Sequence, residues 1–293
     1  MISSAVLFSA LELGCIYALV ALALFLSFRV LNIADMTTDG SFTLGCAVSA
    51  TVAVAGHPFL ALPAAMAAGA CAGAVTAALQ TKLKIPSILA GIITNTGLYT
   101  VNLAVMGFSS NVNMMKNPTV FTAMQPLLGQ LYKLLPTALV TALAAALLVV
   151  FLNTRLGLSI RATGDNPDMV RASSINTGFT ITVGLSVANA LTALSGAVLA
   201  QYQKTADISL GSGMVIIGLA SLIIGETILP HGKLWRRALG AVLGSILYRF
   251  IMALALRLDL PSECLKLISA AIVALAIGLP AIRRPKVKGG AQC

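Results

Sequence analysis

Asn153-Thr154-Arg155-Leu156-Gly157-Leu158-Ser159-Ile160-Arg161-Ala162-Thr163-Gly164-Asp165-Asn166-Pro167-Asp168-Met169-Val170-Arg171-Ala172-Ser173-Ser174-Ile175-Asn176-Thr177 is a polar run, and its flanks decide the fold. On either side, residues 134–152 and 178–201 are apolar for about the length that crosses a bilayer, roughly 20 residues. The run therefore reads as a connection between two membrane helices. It carries a helix-start signal of its own. Gly164 breaks the preceding segment, Asp165 or Asn166 caps, Pro167 suits the first helical position, and Asp168 favours the positive end of the dipole. The helix runs to about Ile175, before Asn176, Thr177 and Gly178 end it. Isolated helices in water need roughly 12–15 residues, so this one must pack against something. A handle for a soluble partner and a merely solvated connection are the two readings of the local features.

Composition sets the class. Of the 293 residues, 58% are hydrophobic and 10% charged, with a mean hydropathy of +0.95. Soluble domains carry about a quarter charged residues. Lipid leaves only helices or closed barrels as spanning structures, and the alternating segments of about ten residues that mark a barrel are absent from the sequence. The expected fold is all-α, a polytopic helical membrane protein of about nine transmembrane helices. The apolar spans are 4–28, 39–55, 59–80, 86–106, 134–152, 178–201, 212–230, 237–257 and 264–281. The first lacks a basic flank and an Ala-x-Ala-like cleavage site, unlike a signal peptide.

Charge orients the spans. With the N-terminus outside, the inner connections hold Arg29, Lys82, Lys84, Arg155, Arg161, Arg171, Lys233, Arg236 and Arg237, with His231 beside them. Arg283, Arg284, Lys286 and Lys288 come after the last span in a cytoplasmic tail, 283–293. Only Lys116, Lys133, Lys204, Arg257 and Lys266 lie outside, so the reading is N-out, C-in. The net charge of +10 is then a topology signal, and no aromatic-studded basic patch argues for nucleic acid. Cys15, Cys46, Cys71, Cys264 and Cys293 show no metal or redox spacing and read as small apolar residues.

Three further blocks carry information. Gly157…Arg161-Ala162…Gly164-Asp165-Asn166-Pro167…Arg171-Ala172…Ile175-Asn176 resembles the coupling segment of ABC-importer permeases of the branched-chain amino acid and ribose type. Two stretches resemble the opening of one bacterial branch of that family. They are Asp35-Met36-Thr37-Thr38-Asp39-Gly40-Ser41-Phe42 and Lys82-Leu83-Lys84-Ile85-Pro86-Ser87-Ile88-Leu89-Ala90-Gly91-Ile92. Some members of this branch are linked to tryptophan or tyrosine uptake. Ser174 departs from the pattern, standing where the family usually has glycine.

The resemblance implies a single permease domain over 1–293, with a cytoplasmic coupling segment at 154–177 that seats in a cleft of an ABC ATPase subunit. Arg161, Gly164, Asp165, Asn166, Pro167 and Arg171 are the residues expected to couple. It implies an extracytoplasmic substrate-binding protein, a second permease copy as a homodimer, and a bacterial inner-membrane location. The chain contains no Gly-x-x-x-x-Gly-Lys-Ser/Thr loop. No enzymatic activity or cofactor is expected in it, and ATP and Mg belong to the partner ATPase.

Asp35 and Asp39 are spaced to share one helix face, and capping of the second span is the cheaper explanation for Asp39. Asn95, Tyr99 and Asn102 share a face of the fourth span, and Asn189 lies in the sixth with Ser186 and Thr192. These four form the candidate translocation pathway, with interhelical glue as the alternative. Intramembrane Glu12, Glu226 and Arg249 are functional hypotheses by their cost in lipid. Arg249 is expected to pair with a buried acid or a helix-end carbonyl, and Glu226 to be structural. Gly69-x-x-x-Gly73 and Gly240-x-x-x-Gly244 permit close helix approach, in the core or at a dimer seam. Residues 107–135 form an extracytoplasmic loop with an amphipathic helix, built on Val120, Phe121, Met124, Leu127, Leu128 and Leu131.

The function so implied is ATP-driven import of a small polar solute, an amino acid and by resemblance an aromatic one. A stand-alone secondary transporter or channel is the alternative, though its ion coupling would need more buried charge.

Overall fold

The computed structural model describes residues 4–229 and 232–256. The expected ninth span, the tail and His231 lie outside the described residues. Helix α1, Ser4–Leu24, continues into a π turn, Phe25–Val30. Then come α2 Thr38–Val54, α3 Pro58–Thr81, α4 Ser87–Val105, β1 Asn111–Asn113 and α5 Val120–Leu128. A 3-10 turn, Gly129–Leu131, leads to α6 Leu134–Asn153, α7 Arg155–Asp165, α8 Pro167–Ala172 and α9 Thr177–Gln203. The last elements are β2 Thr205–Asp207, α10 Met214–Ile228 and α11 Leu234–Leu256.

Six described helices are long and apolar enough to cross a membrane: Val6–Val30, Pro58–Thr81, Ser87–Val105, Leu134–Asn153, Thr177–Gln203 and Leu234–Ala255. The chain is a polytopic helical membrane protein. Every apolar run expected within the described residues is a helix, with ends within three residues of the sequence reading. Two of them differ in kind. α2 has 17 residues and α10 has 15, so at about 1.5 Å per residue each falls short of a hydrocarbon core of about 30 Å.

Burial separates the helices into two classes. In the most apolar 18 residues of each span, 83% of the residues are buried in Val6–Val30 and in α9, against 28–39% in α3, α4, α6 and α11. The last group turns apolar faces outward. Leu135, Leu139, Leu143 and Leu147 line one side of α6, and Leu239, Leu243 and Leu247 one side of α11. The four-residue repeat is that of a helix with one lipid-facing stripe. α9 is enclosed by α2 and α3 at backbone distance. A Cβ on Gly69 or Gly73 would collide with the Asn189 or Leu185 carbonyl, and one on Gly45 with that of Ala193. Gly240 and Gly244 face α10 in the same way. Both glycine pairs thus pack inside the chain.

At one end of the bundle the fold departs from a purely helical one. β1 and β2 form a two-stranded antiparallel ribbon with Val112 opposite Ala206. Three-residue strands carry no readable period, which is why the sequence did not announce them. Asp207 closes the ribbon by accepting the Ser209 hydroxyl and backbone N–H, and these bonds hold its carboxyl below the ordinary value of 3.8. α5 begins with a Thr119/Thr122 capping box. Gln201, 1% exposed, ties this end together. Its amide donates to Pro58 O at 2.9 Å and Ser49 Oγ at 3.2 Å, and its carbonyl accepts from Val120 N at 2.9 Å.

The intramembrane ionisable groups find varied partners. Glu12 accepts from the Tyr202 hydroxyl at 2.8 Å. Glu226 pairs with Arg29 and, at 4.0 Å, with Arg237, which fastens the end of α10 to the π turn and to α11. The Arg249 guanidinium lies 3.6 Å from the centroid of the Tyr17 ring. Among the described residues, an aromatic face meets this cation.

Candidate functional site

The site begins where α1 ends. Leu31 N–H bonds Leu26 O and Ile33 N–H bonds Ser27 O, so the helix unwinds through wide turns. Asn32 then takes a left-handed φ of 55°. The chain turns back into the bundle, and Asp35 anchors it, accepting from Thr37 N at 2.8 Å and Asn189 Nδ2 at 2.7 Å. α2 therefore starts among the other helices. Its first turn meets the start of α10, where the Asp39 carboxylate accepts from Gly213 N at 3.0 Å and Val215 N at 2.9 Å. Two expectations are corrected here. Asp39 caps α10 and not its own helix. Asp35 precedes α2, so the two carboxylates do not share a helix face.

A recess of about 260 Å³ opens at this junction. Asp39, Gly40 and Thr43 of α2, Asn95, Thr96, Tyr99 and Asn102 of α4, and Ile208 and Gly211–Gly213 ahead of α10 line it. Three of the four expected pathway residues, Asn95, Tyr99 and Asn102, share this wall. Asn189 does not. It is 1% exposed, with its amide nitrogen on Asp35 and Leu185 O and its oxygen accepting from Ser41 Oγ at 2.6 Å. It braces the returning chain. Around the recess, Thr43 Oγ1 donates to Asp39 O at 3.1 Å, Thr96 Oγ1 to Ile92 O at 2.9 Å, and Asn102 Nδ2 to Gly40 O at 3.2 Å. The Asn102 Oδ1 is shielded and has no hydrogen-bond partner among the described residues.

The second feature is at the far end of α6. The polar insert is a hairpin of two helices, where the sequence promised one. Thr154 caps α7 by accepting from Gly157 N at 3.2 Å. Gly164 does not break this helix. It lies inside α7, where a Cβ would collide with the Val30 carbonyl oxygen, so glycine is needed for close approach to the π turn. Asp165 ends α7, exposed, and Arg161 is half-buried on the same helix. Asn166 then caps α8, its Oδ1 accepting from Asp168 N and Met169 N, both at 3.1 Å, with Pro167 at the first helical position.

α8 ends at Ala172, three residues earlier than expected, in a left-handed turn. Ser174 N–H bonds Arg171 O and Ile175 N–H bonds Val170 O, which is a Schellman closure. Ser174 has φ 60°, so serine holds the left-handed position that glycine occupies more easily. Ser174→Gly is expected to stabilise the hairpin by about 1 kcal/mol, read as slower hydrogen exchange in α8. Unchanged exchange would mean that the turn is not strained. Arg171 reaches Thr177 Oγ1 at 3.1 Å and Asp168 at 3.3 Å, and Thr163 meets Thr180 at 2.9 Å, joining α7 to α9.

The sequence profile of the family described as branched-chain amino acid transport system / permease component matches residues 6–281. The chain belongs to that family. It is an ABC-importer permease of the type its sequence resembles. The permease is 32% identical over 266 residues to the tyrosine transport system permease protein of Clostridioides difficile (strain R20291), covering 90% of this chain and 88% of that one. It is 26% identical over 279 residues to the ribose import permease protein of Escherichia coli (strain K12), covering 92% and 84%. With an autoinducer 2 import system permease protein of Yersinia enterocolitica it shares 30% identity over 232 residues, 76% of this chain and 61% of the other. No solved structure matches the permease.

Sequence reasoning read Asp39 as a helix cap and left Thr96, a polar residue of the fourth span, out of the pathway, and it missed Thr43 and the backbone of Gly211–Gly213 in this permease. The Gly211-Ser212-Gly213 run was a visible turn signal ahead of an apolar helix. Its meeting with Asp39, 174 residues away, left no local trace.

Proposed function

We propose that this permease is the membrane subunit of a binding-protein-dependent ABC importer in a bacterial inner membrane, working as a homodimer. Its nine crossings run N-out to C-in, with those of the short α2 and α10 completed by the chain that precedes each helix, which places the α7–α8 hairpin in the cytoplasm and the ribbon and α5 outside. ATP and Mg on a partner ATPase drive the cycle. The cargo is a small polar solute, and the tyrosine-transport relative favours an amino acid.

The observation that carries this reading is the hairpin. It exposes Asp165, Asn166, Met169 and Arg171 to a partner, while its other side is keyed to the ends of α1 and α9 through Gly164 and Thr163. A push on such a rigid piece moves both buried helices together. α1 leads directly to the returning chain and to Asp39, so the motion reaches the recess between α2, α4 and α10. Asn95, Tyr99 and Asn102 are the residues that a solute meets there.

The test is co-purification with the ATPase encoded beside the permease. Asp165, Asn166 and Arg171 changed together to alanine are expected to lower ATPase retention about tenfold or more, a loss near 1.4 kcal/mol or above. The membrane spans remain folded, because all three side chains are exposed, but α8 loses its Asn166 cap and the Arg171 bond to Thr177. Asp165→Ala with Arg171→Lys, which keeps the cap, is therefore the companion variant and is expected to lower retention as well. Full retention by the variant would remove the hairpin from the coupling role. A wild-type protein that transports without any ATPase would replace the importer with a stand-alone transporter.

A further inference from the structure

The recess is one-sided in charge among the described residues, and four of its side chains, Asp39, Thr43, Thr96 and Asn102, offer a ligand only acceptors, while Asn95, Tyr99 and Ser212 also bring donors. Thr43 and Thr96 each have one hydroxyl proton, and both protons are already given to backbone carbonyls of their own helices. What they offer a ligand is lone pairs. Asn102 spends its amide on Gly40 O and keeps an unbonded carbonyl oxygen in the floor, in a residue 2% exposed. Turning this amide over would set its oxygen against the Gly40 carbonyl, so the present orientation is fixed. Gly213 N–H is taken by Asp39, and Ser212 N–H by Ser209 O. Asp39 is the only charged lining residue among the described residues. Its two α10 bonds leave each carboxylate oxygen a further lone pair.

The Asp39 carboxylate and the acceptors of Thr43, Thr96 and Asn102, one of them a shielded, unbonded oxygen, are complementary to a group that is all donor and positively charged, and the donors of Asn95, Tyr99 and Ser212 are left for other polar atoms of the same solute. We propose that the recess binds a primary ammonium group, held between Asp39 and Asn102 with Thr43 and Thr96 at its sides. An ammonium brings three N–H donors and no acceptor. This rests on the reading of the recess as the solute path and gives it a selectivity. Amino-bearing solutes are favoured there over anions and over quaternary cations, which have charge without donors.

The experiment needs no knowledge of the cargo. Tyr99→Cys is introduced into the full-length permease with its five cysteines changed to serine, in membrane vesicles containing the partner ATPase. Three methanethiosulfonates are compared, bearing aminoethyl, trimethylammonioethyl or sulfonatoethyl groups, with each rate normalised to that of 2-mercaptoethanol. The aminoethyl reagent is expected to exceed the sulfonatoethyl reagent by about tenfold or more, the range of electrostatic focusing in a cleft, and to exceed the trimethylammonioethyl reagent as well. Asn102→Leu narrows the gap between the two cations. Thr96→Val, at an exposed position, does the same without risk to the fold.

Equal normalised rates for the two cations overturn the hydrogen-bonded ammonium, and equal rates for cation and anion overturn the charge preference. In both cases the solute path stands. A cysteine that reacts with none of the three shows a recess closed to solutes. That outcome removes both the path and the inference, whatever co-purification shows about the hairpin.

Discussion

Leucine at Gly69 and Gly73 together is expected to leave no folded permease in the membrane. Both glycines lie on the face of α3 that meets α9, and at each the space for a Cβ is filled by an α9 backbone carbonyl. A side chain can rotate away from a new neighbour, but a carbonyl inside a helix cannot. Overpacking costs about 1–3 kcal/mol at an ordinary core site, and two leucines against an unyielding backbone exceed this at each position. Folded proteins hold only about 5–15 kcal/mol in reserve. Gly97→Leu is the control, since nothing lies within 4 Å of a Cβ there. Size-exclusion profiles of fluorescently tagged protein should show a monodisperse peak for the control and none for the double variant. A normal peak for both would mean that α3 and α9 do not pack at backbone distance.

Asp39→Ala should produce the next largest loss. The Asp39 carboxylate takes two N–H groups at the start of α10, from a half-buried position on the wall of the recess. A hydrogen bond to a charged group contributes about 1.5–3 kcal/mol, and loss of an N-cap alone costs about 0.5–2 kcal/mol. The expected destabilisation is about 2–4 kcal/mol, measured as a fall in the melting temperature of the purified protein. Asp39→Asn should fall between, because the amide keeps one acceptor but turns its NH2 toward the second N–H. A melting temperature within error of wild type for Asp39→Ala would show that α10 is capped by other means.

These two sites differ in how far the sequence disclosed them. The helices were legible because lipid forces each span to be long, apolar and internally hydrogen-bonded, and because Pro58, Pro86 and Asn176 punctuate them cleanly. Asn95, Tyr99 and Asn102 were legible as one helix face by spacing alone. The polar insert was half legible. Asn166-Pro167 announced α8, but α7 was hidden because Gly157 and Gly164 look like breakers in a sequence, while in the fold they are points of close contact. Asn189 was legible as part of a polar face but not as the brace of Asp35 and Ser41, since spacing gives a face and not the neighbour it meets. Asp39 was assigned to the helix it begins, the nearest in sequence, and its partner is nearest only in space.

The π turn at the foot of α1 has a bearing on how this chain tolerates change in length. A π turn holds about one residue more than an α turn, so the residues beyond it are offset by about 100° around the axis. That angular offset lets Phe25, Leu26 and Ser27 stay buried while Arg29 swings to Glu226. Losing one residue between Phe25 and Val30 would convert the turn to α-helix and leave α1 intact, with Arg29 rotated off Glu226. Losing one residue earlier in α1 has no such reserve, because it would rotate the buried face itself out of register. The molecule thus keeps its one spare residue of α1 beside the contact between Val30 and Gly164.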